Sequence, residues 1–166
     1  MKTALFIGRF QPMHIGHLDA IEWILEKYRK IIIVIGSSQE SRTEENPFSF
    51  EERKEIIEKT LTSERIKENR YEIIGIPDFY DDKAWVGMIL NKAVFDVVFT
   101  RNPWTERCFK ELNIPVEQHP LFGDISATKV REMMKEGKEW KRLVPRDVER
   151  VIERIKSKEG FKHLCK

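Results

Sequence analysis

Apolar residues recur along this chain in two alternating rhythms. Thr3 to Gly8 is a short apolar run closed by glycine, and Ile31 to Gly36 is a second one, richer in β-branched side chains; both predict strands. Between them Leu18, Ile21, Ile24 and Leu25 fall at the spacing that lines one helical face, so the opening reads as strand, helix, strand. Ser49 stands ahead of Glu52 at a capping-box spacing, and Ile56, Ile57 and Leu61 follow, which predicts a helix entered at Ser49. Tyr71 to Ile76 predicts a third strand and Lys83 to Val94 a helix. Asp96 to Thr100 predicts a fourth strand, whose continuous apolar centre suits burial on both faces. Glu106 to Leu112 predicts a short helix and Pro115 to Gln118 a fifth, short strand. Ala127 to Lys135 predicts a helix with Ser126 as its N-cap, and Val144 to Lys156 closes the series.

Strands that alternate with helices need crossover connections, which makes the expected fold α/β, a doubly wound parallel sheet. No repeat or low-complexity segment interrupts the series, and 166 residues with 40% apolar content suit one domain over 1–166, closed by the helix near 144–157. Ligands in such sheets bind beyond the carboxyl ends of the strands. The segments there that differ from ordinary connectors are Gly8 to His17, Arg101 to Thr105 and Phe122 to Arg131.

Charge and composition narrow the partners. With 30 Lys+Arg against 28 Asp+Glu the net charge is only +2, so no global basic field invites nucleic acid, and anions must be held by local sites. No apolar run reaches the roughly 20 residues of a membrane span, and Met1-Lys2-Thr3 leads straight into the first strand; a cytoplasmic protein with no membrane partner is expected. Cys108 and Cys165 lack any CxxC spacing and suggest neither a disulfide framework nor a zinc site.

Gly8-Arg9-Phe10-Gln11-Pro12-Met13-His14-Ile15-Gly16-His17 concentrates glycines, a proline, two histidines and an arginine between a strand and a helix. Gly8 and Gly16 let backbone approach a ligand closely, Pro12 stiffens the turn, and the amides opening the next helix attract anions. His14 and His17, at helical spacing, can grip one phosphate group and donate to developing negative charge. A His-x-x-His pair also ligates metals, although no Cys or third His lies nearby in sequence to complete a set, His119 and His163 being remote. In the later segment Ser126 and Thr128 offer hydroxyls at a helix start, and Arg131, one turn in, presents a planar donor fork suited to pyrophosphate; a capped surface helix with an exposed arginine would look the same locally.

Together, Gly8 to His17 and Ile125-Ser126-Ala127-Thr128-Lys129-Val130-Arg131 resemble the two signature motifs of the His-x-Gly-His nucleotidyltransferase superfamily. Over nearly the whole chain the likeness is to its archaeal nicotinamide-nucleotide adenylyltransferase family. The resemblance implies a Rossmann-like nucleotidyltransferase fold and the transfer of AMP from ATP to nicotinamide mononucleotide (NMN), forming NAD and pyrophosphate in NAD biosynthesis. It implies that His14 and His17 stabilise the ATP phosphates and that Arg131 holds the β- and γ-phosphates, with Gly8, Arg9, Phe10, Gly16, Asn102, Ser126 and Thr128 completing the ATP site. Magnesium is implied as cofactor, held mainly by the ATP phosphates and not by a protein metal site. On the acceptor side it implies stacking of nicotinamide on Trp85, orientation of the nucleotide by Asp78, and a phosphate contact from the Ser37 to Phe50 loop, assigned to Arg42. Read locally, Trp85 equally starts a buried helix face with Val86 and Met88 to Leu90, and Arg42 equally suits a solvated loop. A homo-oligomer is implied, hexamers being frequent among archaeal members. Departures from the pattern are Ala127 for a second serine and Arg101 for a glycine ahead of Asn102-Pro103.

The chemistry needs no general base, because an anionic acceptor phosphate is already a nucleophile; orientation and charge neutralisation suffice. Two rival readings stand beside this one: a sister adenylyl- or cytidylyltransferase acting on phosphopantetheine, FMN or glycerol phosphate, and a nucleotide-binding sensor without turnover.

Overall fold

A computed structural model describes residues 2–158. Strands β1 (Thr3–Gly8), β2 (Lys30–Ile35), β3 (Tyr71–Gly75), β4 (Val97–Phe99) and β5 (Val116–Glu117) alternate with helices α1 (Ile15–Lys27), α2 (Phe50–Ser63), α3 (Asp82–Lys92), α4 (Pro103–Lys110), α5 (Ala127–Lys135) and α6 (Arg146–Lys156). The strands form one sheet in the order β3-β2-β1-β4-β5, every pair parallel, with Phe6 opposite Ile33 on one side and Phe99 on the other. The doubly wound α/β fold expected from the sequence is the fold found.

The described chain falls into two compact units. The first takes Met1–Arg9, Ala20–Ser38 and Lys67–Pro120; the second takes Phe10–Asp19, Gln39–Ile66 and Leu121–Lys166, described as far as residue 158. The first unit holds the whole sheet. Alternation along the strands divides its core: Leu5, Ile32, Val34 and Val98 join Ile76, Trp85, Val86, Ile89, Cys108 and Phe109 in one apolar cluster that takes in α3 and α4. Phe99 meets Trp23 and Tyr28 edge-on from α1 and its end, at 5.9 and 5.4 Å between ring centroids. Both faces of the central strands are thereby covered, which is why they read as unbroken apolar runs.

In the second unit α2 packs on α6. Val148, Val151, Ile152 and Ile155 form the buried stripe of α6, while α2 buries Ile56, Ile57 and Leu61. At the rim, Arg154 takes both carboxylate oxygens of Glu55 at 2.9 and 2.6 Å, and with Lys59 holds that carboxyl down to about 2.

Boundaries shift from the sequence reading in two instructive places. Helix α4 begins at Pro103 instead of Glu106, because the Asn102 side chain caps it and proline is pre-set for the first helical position. Helix α6 begins after Pro145, and Val144 belongs to the end of a single 3₁₀ turn, Lys141–Leu143. Cys108 is buried, and its thiol is pushed up to about 11 by burial and by Asp82. Cys165 and His163 lie outside the described residues. No helix among the described residues is long and apolar enough to cross a membrane.

Candidate active site

The Gly8 to His17 segment enters the second unit at Phe10, a buried residue in the left-handed region at φ 52°. Next to it Gln11 is completely buried, and its amide makes a two-point contact with the backbone of Phe48. Nε2 donates to the Phe48 carbonyl and Oε1 accepts from the Phe48 N–H, both at 2.9 Å. A buried amide satisfied at both ends fixes a loop more firmly than an apolar contact of the same size, since shifting it would leave donor and acceptor unpaired. The segment is thus pinned to Asn46-Pro47-Phe48.

Helix α1 starts just beyond, with the His14 carbonyl accepting from the N–H groups of His17 and Leu18. The two imidazoles stack, 3.6 Å between centroids and 23° between planes, and His17 lies in turn against Phe10 at 4.7 Å. The His14 N–H donates to Nδ1 of His17 at 3.2 Å, which assigns the proton of neutral His17 to Nε2 and makes that atom a donor. His14 is 8% exposed and its Nδ1 is buried with no hydrogen-bond partner. Burial lowers its pKa from 6.5 to about 4, so the stacked pair does not carry two charges at neutral pH. Gly16 makes room for this arrangement: a Cβ there would lie 3.2 Å from the His14 ring and 3.3 Å from the Phe122 carbonyl.

That burial has a consequence for stability. Unfolded His14 titrates near 6.5 and folded His14 near 4, so between these values the unfolded chain binds the extra proton. The contribution is complete above about pH 6.5 and is lost as pH falls toward 4, up to about 3 kcal/mol. His119, whose pKa is also lowered mainly by burial, adds the same sign. Denaturant midpoints should therefore fall between about pH 7 and pH 5, above the range where carboxylates contribute, and His14→Gln should reduce the fall.

Helix α5 supplies the second motif to the same unit. Ser126 caps it, accepting from the Lys129 N–H at 3.1 Å, as its sequence position predicts. Arg131, one turn into the helix, donates through Nη1 to the Gln11 carbonyl at 2.8 Å and through Nη2 to the Thr128 hydroxyl at 3.3 Å. Two motifs that carry the histidines and the arginine, 120 residues apart at this bond, are thereby joined directly. Arg42, offered as an acceptor-phosphate contact, is engaged in the loop's own framework. It grips Glu52 with two parallel bonds of 2.8 and 2.6 Å and the Pro47 carbonyl at 2.8 Å. Glu52 also accepts from the Ser49 N–H to complete the capping box. Burial works against the Glu52 charge, but these bonds prevail and hold its pKa below the ordinary value.

The first unit holds the remaining candidates: Gly8 and Arg9 after β1, Asp78 after β3, Trp85 in α3 and Asn102 after β4. The Gly36 N–H donates to the Gly8 carbonyl at 2.9 Å, the Ser37 hydroxyl donates to Asp78 at 3.0 Å, and the Ser38 N–H donates to the Ile76 carbonyl at 3.1 Å. These links tie Gly8 and Asp78 to consecutive residues, Gly36 and Ser37, at the end of β2. Trp85 is 4% exposed, a member of the sheet core, with its ring against Trp104 at 4.8 Å and Phe109 at 5.9 Å. Asn102 spends its side-chain oxygen on capping α4, and Arg101, standing where a glycine was expected, donates to the His119 carbonyl at 2.8 Å.

Gln11 and Glu52 are the members that sequence reading missed. Their only local signals were a polar residue set between Phe10 and Pro12-Met13, and a capping-box glutamate that doubles as an arginine partner. Among the described residues, no group of three or more His, Cys, Asp or Glu is placed to hold a metal ion. What the second unit assembles is hydrogen-bond donors, a set complementary to phosphate oxygens.

Known proteins resemble the chain in sequence and in fold. The model of the cytidylyltransferase-like family matches residues 5–133. The nicotinamide-nucleotide adenylyltransferase of Thermococcus kodakarensis is 40% identical over 168 residues, covering 99% of this chain and 89% of the relative. That of Saccharolobus solfataricus is 38% identical over 167 residues, covering 99% and 97%. Among solved structures, a bifunctional NMN adenylyltransferase/ADP ribose pyrophosphatase from Francisella tularensis, complexed with AMP and a manganese ion, superposes with a TM-score of 0.84 at 26% identity. The match covers 99% of this chain and 52% of that one, so the chain spans about half the length of the bifunctional protein. The chain belongs to the cytidylyltransferase-like family and, within it, to the nicotinamide-nucleotide adenylyltransferases.

Proposed function

We propose that the protein transfers AMP from ATP to nicotinamide mononucleotide, forming NAD and pyrophosphate. The observation that carries this reading is the bond from Arg131 to the Gln11 carbonyl, which places the guanidinium on the segment that bears His14 and His17. In the proposed reaction an acceptor phosphate oxygen attacks the α-phosphorus of ATP. A new P–O bond forms, the bond to the bridging β-phosphate oxygen breaks, and pyrophosphate leaves with the electron pair. His17 donates from Nε2 to charge building on the phosphates, His14 orients that ring through its backbone N–H and the stack, and Arg131 neutralises the leaving pyrophosphate. Gly8, Arg9, Phe10, Gly16, Asn102, Ser126 and Thr128 complete the ATP site in this reading. Asp78, Arg42 and the aromatic cluster built on Trp85 serve the acceptor, Arg42 through the loop it braces.

A divalent cation enters as part of the nucleotide substrate. The donor-rich side chains suit phosphate better than a resident metal, and manganese accompanies AMP in the Francisella tularensis relative; magnesium is the ion we assign. The working unit we propose is a single nucleotidyltransferase domain, 1–166, acting in the cytoplasm as a homo-oligomer, with the hexamer as the first form to test.

The test is pyrophosphate release from ATP and magnesium with NMN, nicotinic acid mononucleotide, FMN and phosphopantetheine offered in turn. Selective turnover of NMN is expected. Release with a different acceptor would keep the chemistry and overturn the acceptor, whereas release with none would leave a nucleotide-binding sensor.

A further inference from the structure

Gln11 stands between the two ends of the proposed reaction. On one side lies the stretch Arg42 to Phe48, which is closed on itself. The Arg42 backbone N–H and its Nη1 both donate to the Pro47 carbonyl, at 3.2 and 2.8 Å, and the Asn46 N–H donates to the Thr43 hydroxyl at 3.0 Å. A stretch held by several internal bonds moves as one piece. The Gln11 amide takes hold of that piece at Phe48 through two bonds of 2.9 Å, one given and one received. On the other side is Arg131, which donates to the Gln11 backbone carbonyl at 2.8 Å. An ion pair between Glu44 and Lys135 ties the same stretch to α5, the helix that carries Arg131. Gln11 therefore bears on the loop through its side chain and on the arginine through its backbone, and His14 follows it closely in the chain. Two bonds to the backbone of one residue fix its orientation as well as its distance, where one bond or an apolar contact would let it turn. Gln11 and Phe48 are both 0% exposed, so water does not stand ready to replace either bond.

We propose that Gln11 is a positioning residue that keeps the acceptor's loop and the arginine for the leaving pyrophosphate in register with the histidine segment. The inference rests on the reading of the reaction as transfer to an acceptor phosphate served by that loop. In-line displacement needs the entering oxygen, the α-phosphorus and the leaving oxygen held in alignment, and an error of about 1 Å can cost about a hundredfold in rate. Gln11 acts on that alignment through the stretch it grips and through Arg131, not on a reacting atom. Its contribution belongs to kcat, since each substrate can still be bound when the two are no longer aligned.

The test sets rate against affinity. Gln11→Met nearly keeps the side-chain volume and removes both bonds to Phe48. Its kcat for pyrophosphate release with NMN should fall roughly ten- to hundredfold, while the Kd values for ATP and for NMN, each titrated alone, stay within about threefold of the parent. Gln11→Asn keeps the amide but is one methylene short; the same split with a smaller loss is expected, and this variant carries the test if Gln11→Met does not fold. Rates are compared well below the Tm of every variant. Glu55→Gln, which loosens the grip of Arg154 on α2, is the control for stability alone: its Tm should fall and its kcat stay within about twofold. A kcat within about twofold of the parent in a folded Gln11 variant overturns the proposal, as does a loss that appears in the Kd values instead, or an equal kcat loss in Glu55→Gln. An active parent with unaffected Gln11 variants sinks this inference alone, whereas a parent that releases no pyrophosphate with any acceptor sinks the functional reading and this inference with it.

Discussion

Replacing His17 with alanine is expected to lower kcat by about 10² or more, with a much smaller change in the KM for the acceptor. The expectation follows from the tautomer that the fold imposes. The His14 N–H occupies Nδ1 of His17, so the proton of the neutral ring sits on Nε2, which makes that atom a donor without prior protonation. A donor oriented in advance contributes most where charge grows during reaction, and the loss of one such donor typically costs two to three orders of magnitude in rate. The substitution also uncovers His14, whose ring is stacked on His17, so the effects of His14→Ala and His17→Ala should fall short of additivity when combined. Steady-state pyrophosphate release is the measurement, and an unaltered kcat would remove His17 from the mechanism.

Trp85→Ala is expected to act first on stability. The side chain is closed into the cluster with Leu5, Val86, Ile89 and Phe109, and truncating a buried aromatic usually costs about 3–5 kcal/mol. For a chain of this length that corresponds to a fall in Tm of roughly 10 °C or more. Thermal unfolding followed by circular dichroism would show it. A Tm within about 2 °C of the parent would mean that the indole is not the core element described here.

Much of the architecture was legible because burial on both sides leaves an unambiguous trace. Ile31 to Ile35 could hardly be anything but a covered strand, and the alternating series that follows fixes a parallel sheet. The start of α4 was misplaced for a different reason: Asn102-Pro103 is a sound helix-entry signal, and reading it only as a ligand loop hid the cap. Gln11 was out of reach because its partner is the backbone of Phe48, 37 residues on, and backbone partners leave no mark in side-chain chemistry. The engagement of Arg42 with Glu52 was hidden likewise, concealed behind a capping box that explained the glutamate already. For Trp85 both local readings were sound, and its packing against Trp104 and Phe109 gives the buried-face reading its physical form. The joining of Arg131 to the histidine segment is invisible to periodicity; likeness to a family implied it, and the bond to Gln11 gives it a physical form.

The cap on α4 also sets a direction of reading. Asn102 Oδ1 accepts from the N–H groups of Trp104 and Thr105 at 2.9 and 3.1 Å, which commits both of its lone pairs. What this side chain has left to extend is hydrogen alone, so in the proposed ATP site it would meet ring nitrogens and carbonyl oxygens and not an exocyclic amine. If it meets the base in the proposed ATP site, such a donor distinguishes purines by their acceptors, since N1 of adenine accepts where N1 of guanine carries hydrogen, and the adenine amine is left to groups that accept, backbone carbonyls foremost.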